Sequence, residues 1–139
     1  MNNIKSSLKF IDYVVDKVEF YNNKGFDGDS IKISLDLDSK VNFYDNEDNS
    51  FEVTISAKIF DDAINKGYPF SMNVSLTGFF ELENIDIDKK EIFAEKNAVT
   101  ILFPYLRSLV STYTANSNVD PLILPPINVV KYIEQKHGL

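Results

Sequence analysis

Residues 101–129 read ILFPYLRSLVSTYTANSNVDPLILPPINV. The stretch holds Arg107, the sole arginine of the chain, and four of its five prolines. From Asn97 to Val119 no acidic residue occurs, although the chain carries 21 Asp plus Glu. A segment this apolar forms a helix only when protein covers nearly all of its faces. The cover can come from the rest of the chain, from identical copies, or from a bound partner.

Working outward, the spacing predicts a helix over 88–115, with Asp86 or Asp88 as its cap and Glu91 in its first turn. A break is possible near Asn97. Pro104 removes a backbone hydrogen bond inside this span, so the helix is expected to kink or restart there. Residues before prolines are pushed out of the helical region, which makes Leu122 to Leu124 extended. Pro126 suits the first turn of a short last helix over 126–135.

Upstream the rhythm has period two, the mark of half-buried strands. Ile31, Ile33, Leu35, Leu37, Val41 and Phe43 alternate with polar residues, as do Phe51, Val53, Ile55, Ala57 and Ile59. Phe70, Met72, Val74, Leu76, Phe80 and Leu82 repeat the pattern. The strands are expected over 30–43, 50–60 and 69–83, with a turn at Asp45 to Ser50. Residues 8–21 read as a further strand with a bulge near Val14–Asp16, although Leu8, Ile11, Val15 and Val18 also fit a helical face. Strands followed by helices without alternation indicate an α+β class: a four-stranded antiparallel sheet, a long helix and a short C-terminal helix in one domain.

A chain of 139 residues builds a core without staples, and 44% hydrophobic content excludes disorder. The net charge of −7 lies in residues 1–90, while 91–139 are balanced. That charge argues against nucleic acid as a partner. There is no cysteine, no apolar core of a leader in MNNIKSSLKF, and no run approaching the ~18–20 apolar residues of a membrane span. A cytoplasmic location without membrane insertion is expected.

Gly78-Phe79-Phe80, then Leu102-Phe103-Pro104-Tyr105-Leu106-Arg107, then Pro121-Leu-Ile-Leu-Pro-Pro126-Ile-Asn128 together resemble the SecB family of export chaperones. The resemblance is readable from Phe70 to Glu134; before that it rests on strand count. It implies a long connection between the first two strands, helices packed between subunits, and a dimer of dimers. It implies as function an ATP-independent hold on unfolded polypeptide clients in apolar grooves, for export or for another client such as an antitoxin. It also implies client-facing positions: Tyr21 and Phe26 in the crossover, Phe70 and Phe79 on the fourth strand, and Leu122 and Leu124 in the extended segment. Phe80 shares a face with Val74 and Leu76, and core packing is the better reading for it. Asn73 stands where the family has a glutamate for docking to the SecA motor, and the chain reaches only to Leu139, where the family often has a polar tail. Both count against SecA as a partner.

Pro104, Tyr105 and Arg107 are expected at subunit contacts, Arg107 as a salt bridge or carbonyl cap in preference to client binding. The lone His137, expected to be solvent-exposed, excludes histidine acid–base pairs and multi-histidine metal sites. Asp27-Gly-Asp29 and Asp45–Asp48 lack a closing Glu for calcium, and no phosphate-binding glycine motif is present. No enzyme and no cofactor is expected. A scaffold with a closed groove, or a small-molecule carrier, are the competing readings.

Overall fold

The computed structural model of the chain describes residues 7–28, 32–44, 49–83 and 90–138. Four strands, β1 (Ser7–Asn22), β2 (Leu35–Phe43), β3 (Ser50–Ile59) and β4 (Phe70–Glu83), form one antiparallel sheet in the order β1-β4-β3-β2. A single turn, α1 (Ala63–Lys66), joins β3 to β4, and α2 (Lys90–Ala115) and α3 (Val129–Lys136) follow. The connection from β1 to β2 therefore crosses the sheet from one edge to the other. Residues 45–48 of the turn expected at Asp45 to Ser50, and the capping aspartates Asp86 and Asp88, lie outside the described residues.

The alternation on β3 and β4 sorts side chains cleanly. Val53, Ile55, Ala57 and Ile59 lie opposite Gly78, Leu76, Val74 and Met72, all buried beneath α2. Phe80 is 1% exposed and is core. Gly78 lies where helix and sheet approach closely: a Cβ there would meet Leu102 Cδ2 at 2.6 Å and the Phe80 ring at 2.8 Å. Ala94, Ala98, Leu102, Leu106, Val110 and Thr114 recur every four residues along α2 and are all buried, so sheet and helix supply much of the cover that the acid-free helix demands. Each fully buried leucine contributes roughly 1.5–3 kcal/mol of transfer free energy.

α2 runs unbroken through both Asn97 and Pro104, so the expected restart does not occur. Pro104 lies on the exposed side of the helix, where water can take the place of the lost backbone bond. The last helix starts at Val129, not Pro126. Asn128 keeps extended backbone angles (φ −80°, ψ 92°) and its side chain accepts from Lys131 N at 3.0 Å, which fixes the cap three residues later than expected. β2 begins at Leu35; residues 32–34 are outside the ladder, although Ser34 O still accepts from Phe60 N at 2.9 Å. β3 ends at Ile59 because Phe60 takes φ +53°, a left-handed conformation that a strand cannot hold and that is rare for an aromatic residue.

β1 is a strand, with two register shifts, at Ile11 and at Asp16. The second is the bulge expected near Val14–Asp16. It turns the Asp16 carboxylate over the polar face of the sheet, where Thr77 Oγ1 donates to it at 2.6 Å and Thr54 in turn donates to Thr77 at 2.7 Å. The opposite edge is treated differently. α3 packs on α2 and β2. Tyr132 Oη donates to Leu35 O at 2.9 Å and accepts from Leu37 N at 3.4 Å, while Lys136 Nζ donates to Leu37 O at 3.1 Å. His137 is solvent-exposed as expected, and its Nε2 lies 2.9 Å from Asp38 Oδ1.

Candidate functional site

The extended segment after α2 has few backbone neighbours, so something must hold it. Three side chains one helical face apart do so. Arg107 Nε donates to Leu124 O at 3.0 Å and Ser111 Oγ to Leu122 O at 3.1 Å. Thr114, fully buried, donates to Val110 O at 2.8 Å and accepts from Leu122 N at 2.8 Å. Arg107 is thus a carbonyl cap as expected, but its acceptor belongs to the same chain.

On the other side, Asn23 folds the β1–β2 connection back against the β3–β4 connection. Its Nδ2 donates to Tyr68 O at 2.9 Å and to Ala63 O at 3.3 Å, and its backbone N donates to Pro69 O at 3.0 Å. Phe26 N closes the turn onto Asn23 O at 3.0 Å. A Cβ at Gly28 would lie 3.0 Å from Phe26 Cε1, so the ring would have to give by a few tenths of an ångström.

Between these two held segments lies an open cavity of about 650 Å³. Phe26, Ile33, Phe60, Phe70, Val119 and Leu122 give it apolar walls, with Lys24 and Asp120 among the polar residues that line it. Phe60 packs edge-on to Phe70 with ring centroids 5.2 Å apart, so the strained residue serves the cavity wall.

Three of the six expected client-facing residues, Phe26, Phe70 and Leu122, therefore meet in one cavity. Phe70 is almost wholly enclosed, offering only its edge. Leu124 is 0% exposed within the chain itself, so it is a core residue and is removed from the client-facing set. Tyr21 and Phe79 lie on the polar face of the sheet, opposite Ser71 and between Asp12 and Glu52 respectively, away from the cavity. Asn73 is on that same face between Glu19 and Lys58. Ile33, Phe60 and Val119 were missed from sequence. Ile33 looked like a strand residue, and the departure of Phe60 from the ladder has no sequence mark. Pro104 and Tyr105 are exposed, and the Tyr105 ring packs at a tilt against Tyr13 of β1 with centroids 4.6 Å apart.

The family model described as preprotein translocase subunit SecB matches residues 18–137. The chain belongs to the SecB family. The match begins well before Phe70, so the resemblance that was readable only in the last half covers most of the chain. Residues 1–17, which include most of β1, precede it. SecB is a chaperone family, not an enzyme family. An uncharacterized protein of Methanocaldococcus jannaschii is 41% identical over 126 residues, 90% of this chain and 81% of that protein. The protein-export protein SecB of Orientia tsutsugamushi is 30% identical over 102 residues, 73% of this chain; the match spans 62% of that SecB. In fold, the chain is similar to a SecB-like chaperone of Mycobacterium tuberculosis in complex with a ChAD peptide from the HigA1 antitoxin. The TM-score is 0.67, at 16% identity, over 86% of this chain and 87% of that one. No helix among the described residues is long and apolar enough to cross a membrane.

Proposed function

We propose that this chain is an ATP-independent holding chaperone of the cytoplasm that binds extended, non-native polypeptide in the cavity walled by Phe26, Phe70 and Leu122. The observation that carries the reading is the convergence of these three apolar residues, from three separate parts of the sequence, on one open cavity. Exposed apolar surface of this kind invites aggregation unless charge surrounds it, and the net charge of −7 supplies that. A volume of about 650 Å³ would also suit a small ligand. A carrier site is better served by a closed pocket, however, and this cavity is open. The peptide reading is therefore preferred.

The second reading is a chaperone dedicated to one client, such as an antitoxin; the fold likeness to the Mycobacterium tuberculosis protein favours it. SecA docking is not part of the proposal, because Asn73 carries no charge. We also assign the apolar strip of β1 and α2 that includes Val15, Pro104 and Tyr105 to contacts between copies, in a dimer of dimers.

The test is titration of the protein with a permanently unfolded, reduced and alkylated protein, read by calorimetry and by suppression of its aggregation. Leu122→Asp and Phe26→Asp are expected to weaken binding about tenfold or more, since each puts a charge against an apolar client. Wild-type protein that neither binds nor suppresses aggregation ends the chaperone reading.

A further inference from the structure

Residues 121–126 read PLILPP, so only Leu122, Ile123 and Leu124 among them carry a backbone N–H. So few donors cannot build a strand ladder, and the register of the segment depends on side-chain bonds. Those bonds fall at alternate residues. α2 takes Leu122 through both its N and its O, and Leu124 through its O, while Ile123 between them is 69% exposed. An extended chain turns successive side chains to opposite sides, so a slip of one residue would put Ile123 at the cavity wall in place of Leu122.

Thr114 is the member of this grip that is wholly enclosed. A hydroxyl has one proton, and here it goes to Val110 O of the preceding helical turn at 2.8 Å. Its lone pairs are left for the segment, where they accept from Leu122 N at 2.8 Å. Because Thr114 is 0% exposed, water cannot take over that role. Thr100 on the same helix makes the same kind of back-bond, to Lys96 O at 2.9 Å, but is exposed.

We infer that Thr114 is a positioning residue for client binding: its hydroxyl sets Leu122 at the wall of the 650 Å³ cavity before a client arrives. The inference rests on the proposed chaperone function and names what presets its site. A wall already in register spares the binding step the entropy of ordering it. The facing wall is preset in a similar way, by Asn23 holding the turn that carries Phe26.

The experiment is a double-mutant cycle between Thr114 and Leu122, read by calorimetry with a reduced and alkylated client. Thr114→Val keeps the shape of the side chain, removes the acceptor of Leu122 N, and is expected to weaken binding about three- to tenfold. Thr114→Ser keeps the hydroxyl and should stay within about twofold of wild type, as should Thr100→Val. In Leu122→Ala protein, Thr114→Val should cost less than about twofold, because the side chain it positions is gone. Amide exchange of the wild-type protein supplies a test that needs no variant. The Leu122 amide is expected to be better protected than that of Ile123 without client, and no better protected with it.

A full loss on Thr114→Val in the Leu122→Ala protein would assign Thr114 to packing alone and overturn the inference. A Leu122 amide protected only once client is bound would overturn it too, even if Thr114→Val does not fold. Wild-type binding that Thr114→Val leaves unchanged overturns the inference and keeps the chaperone reading. No binding by wild type overturns both.

Discussion

β1 and β2 are the two edge strands of one sheet, and they solve the edge problem in opposite ways. An edge strand carries unpaired backbone donors and acceptors that invite another strand. At β2 the chain answers with its own last helix: Tyr132 and Lys136 occupy Leu35 O, Leu37 N and Leu37 O. At β1 nothing from the described chain does so. Ile11, Tyr13, Val14 and Val15 are between 36% and 48% exposed, although Tyr13 and Val15 are on the helix side of the sheet opposite Gly78 and Leu76. α2 lies over β4, β3 and β2 and only grazes β1. One edge is finished within the chain, and the other has the composition of an interface.

The largest test of that contrast removes what joins the two edges. Phe10, Phe80, Phe51 and Phe43 form a row of rings across β1, β4, β3 and β2, with neighbouring centroids 5.3, 5.4 and 5.0 Å apart. Phe80→Ala empties the middle of that row and should cost about 3–5 kcal/mol in denaturant unfolding. β1 pairs with β4 alone and meets α2 through the Tyr105 and Tyr113 rings, whereas β2 is held by β3 and, along its free edge, by α3. Hydrogen exchange should therefore quicken more in β1 than in β2. Equal loosening of both edges would remove the distinction.

A smaller effect is expected at the bare edge. Val14→Lys places a charge on exposed strand and should move the stability of the fold by no more than about 0.5 kcal/mol. It should weaken association between copies at least about tenfold, because a lysine on an edge opposes strand addition. Sedimentation at several concentrations measures it. A wild-type protein that stays monomeric at all of them would show that β1 is simply tolerated as exposed.

How much of this contrast was legible in the sequence follows from what each feature depends on. The alternation of Phe51 to Ile59 and of Phe70 to Leu82 set the sheet, because burial on one face leaves period two in the letters. The bulge at Asp16 was legible because the apolar phase slips there. The grip on the extended segment was only half visible: Arg107 stood out as the sole arginine, but Ser111 and Thr114, at four and seven residues beyond it, look like ordinary helix-surface residues. The cavity was visible in Phe26, Phe70 and Leu122 only through likeness to a family. Phe60 joins it through a backbone conformation that no residue preference announces. Leu124 was placed beside Leu122 through the same likeness, whereas its side chain is buried in the core.

At the finished edge the next effect is smaller still in scope. Tyr132→Phe keeps the ring against β2 and removes the hydroxyl that bonds Leu35 O and Leu37 N. The expected loss is about 1 kcal/mol, in the usual range for one well-used hydrogen-bonding group. The Leu37 amide should lose protection before the amides of β3 do. Unchanged exchange at Leu37 would mean that α3 merely rests on the edge.

The smallest effect concerns the charges beside that hydroxyl. Burial pushes the Asp38 carboxyl up, but the hydrogen bond to His137, the Ser39 N–H and the nearby charges of Lys136 and His137 outweigh it and hold the group below its ordinary value. The Lys136 ammonium is raised, first by its hydrogen bond to Asp36 at 2.7 Å and then by the charges of both aspartates, against a desolvation that lowers it. A depressed carboxyl contributes stability above its unfolded value, near 3.8, and loses it as pH falls through the folded value. A raised ammonium contributes below its unfolded value, near 10.5, and loses it as pH rises through the folded value. Between those limits both groups hold α3 to β2. Asp38 is 43% exposed, so solvent screening leaves only a few tenths of a kcal/mol. Asp38→Asn should lower stability by that amount at neutral pH and by nothing once wild-type Asp38 is itself protonated. Paired urea titrations along the acid limb measure the difference. A deficit that persists at the lowest pH would locate the role of Asp38 in packing rather than charge, and the closure of the β2 edge would then rest on Tyr132 and the Lys136 bond to Leu37 O alone.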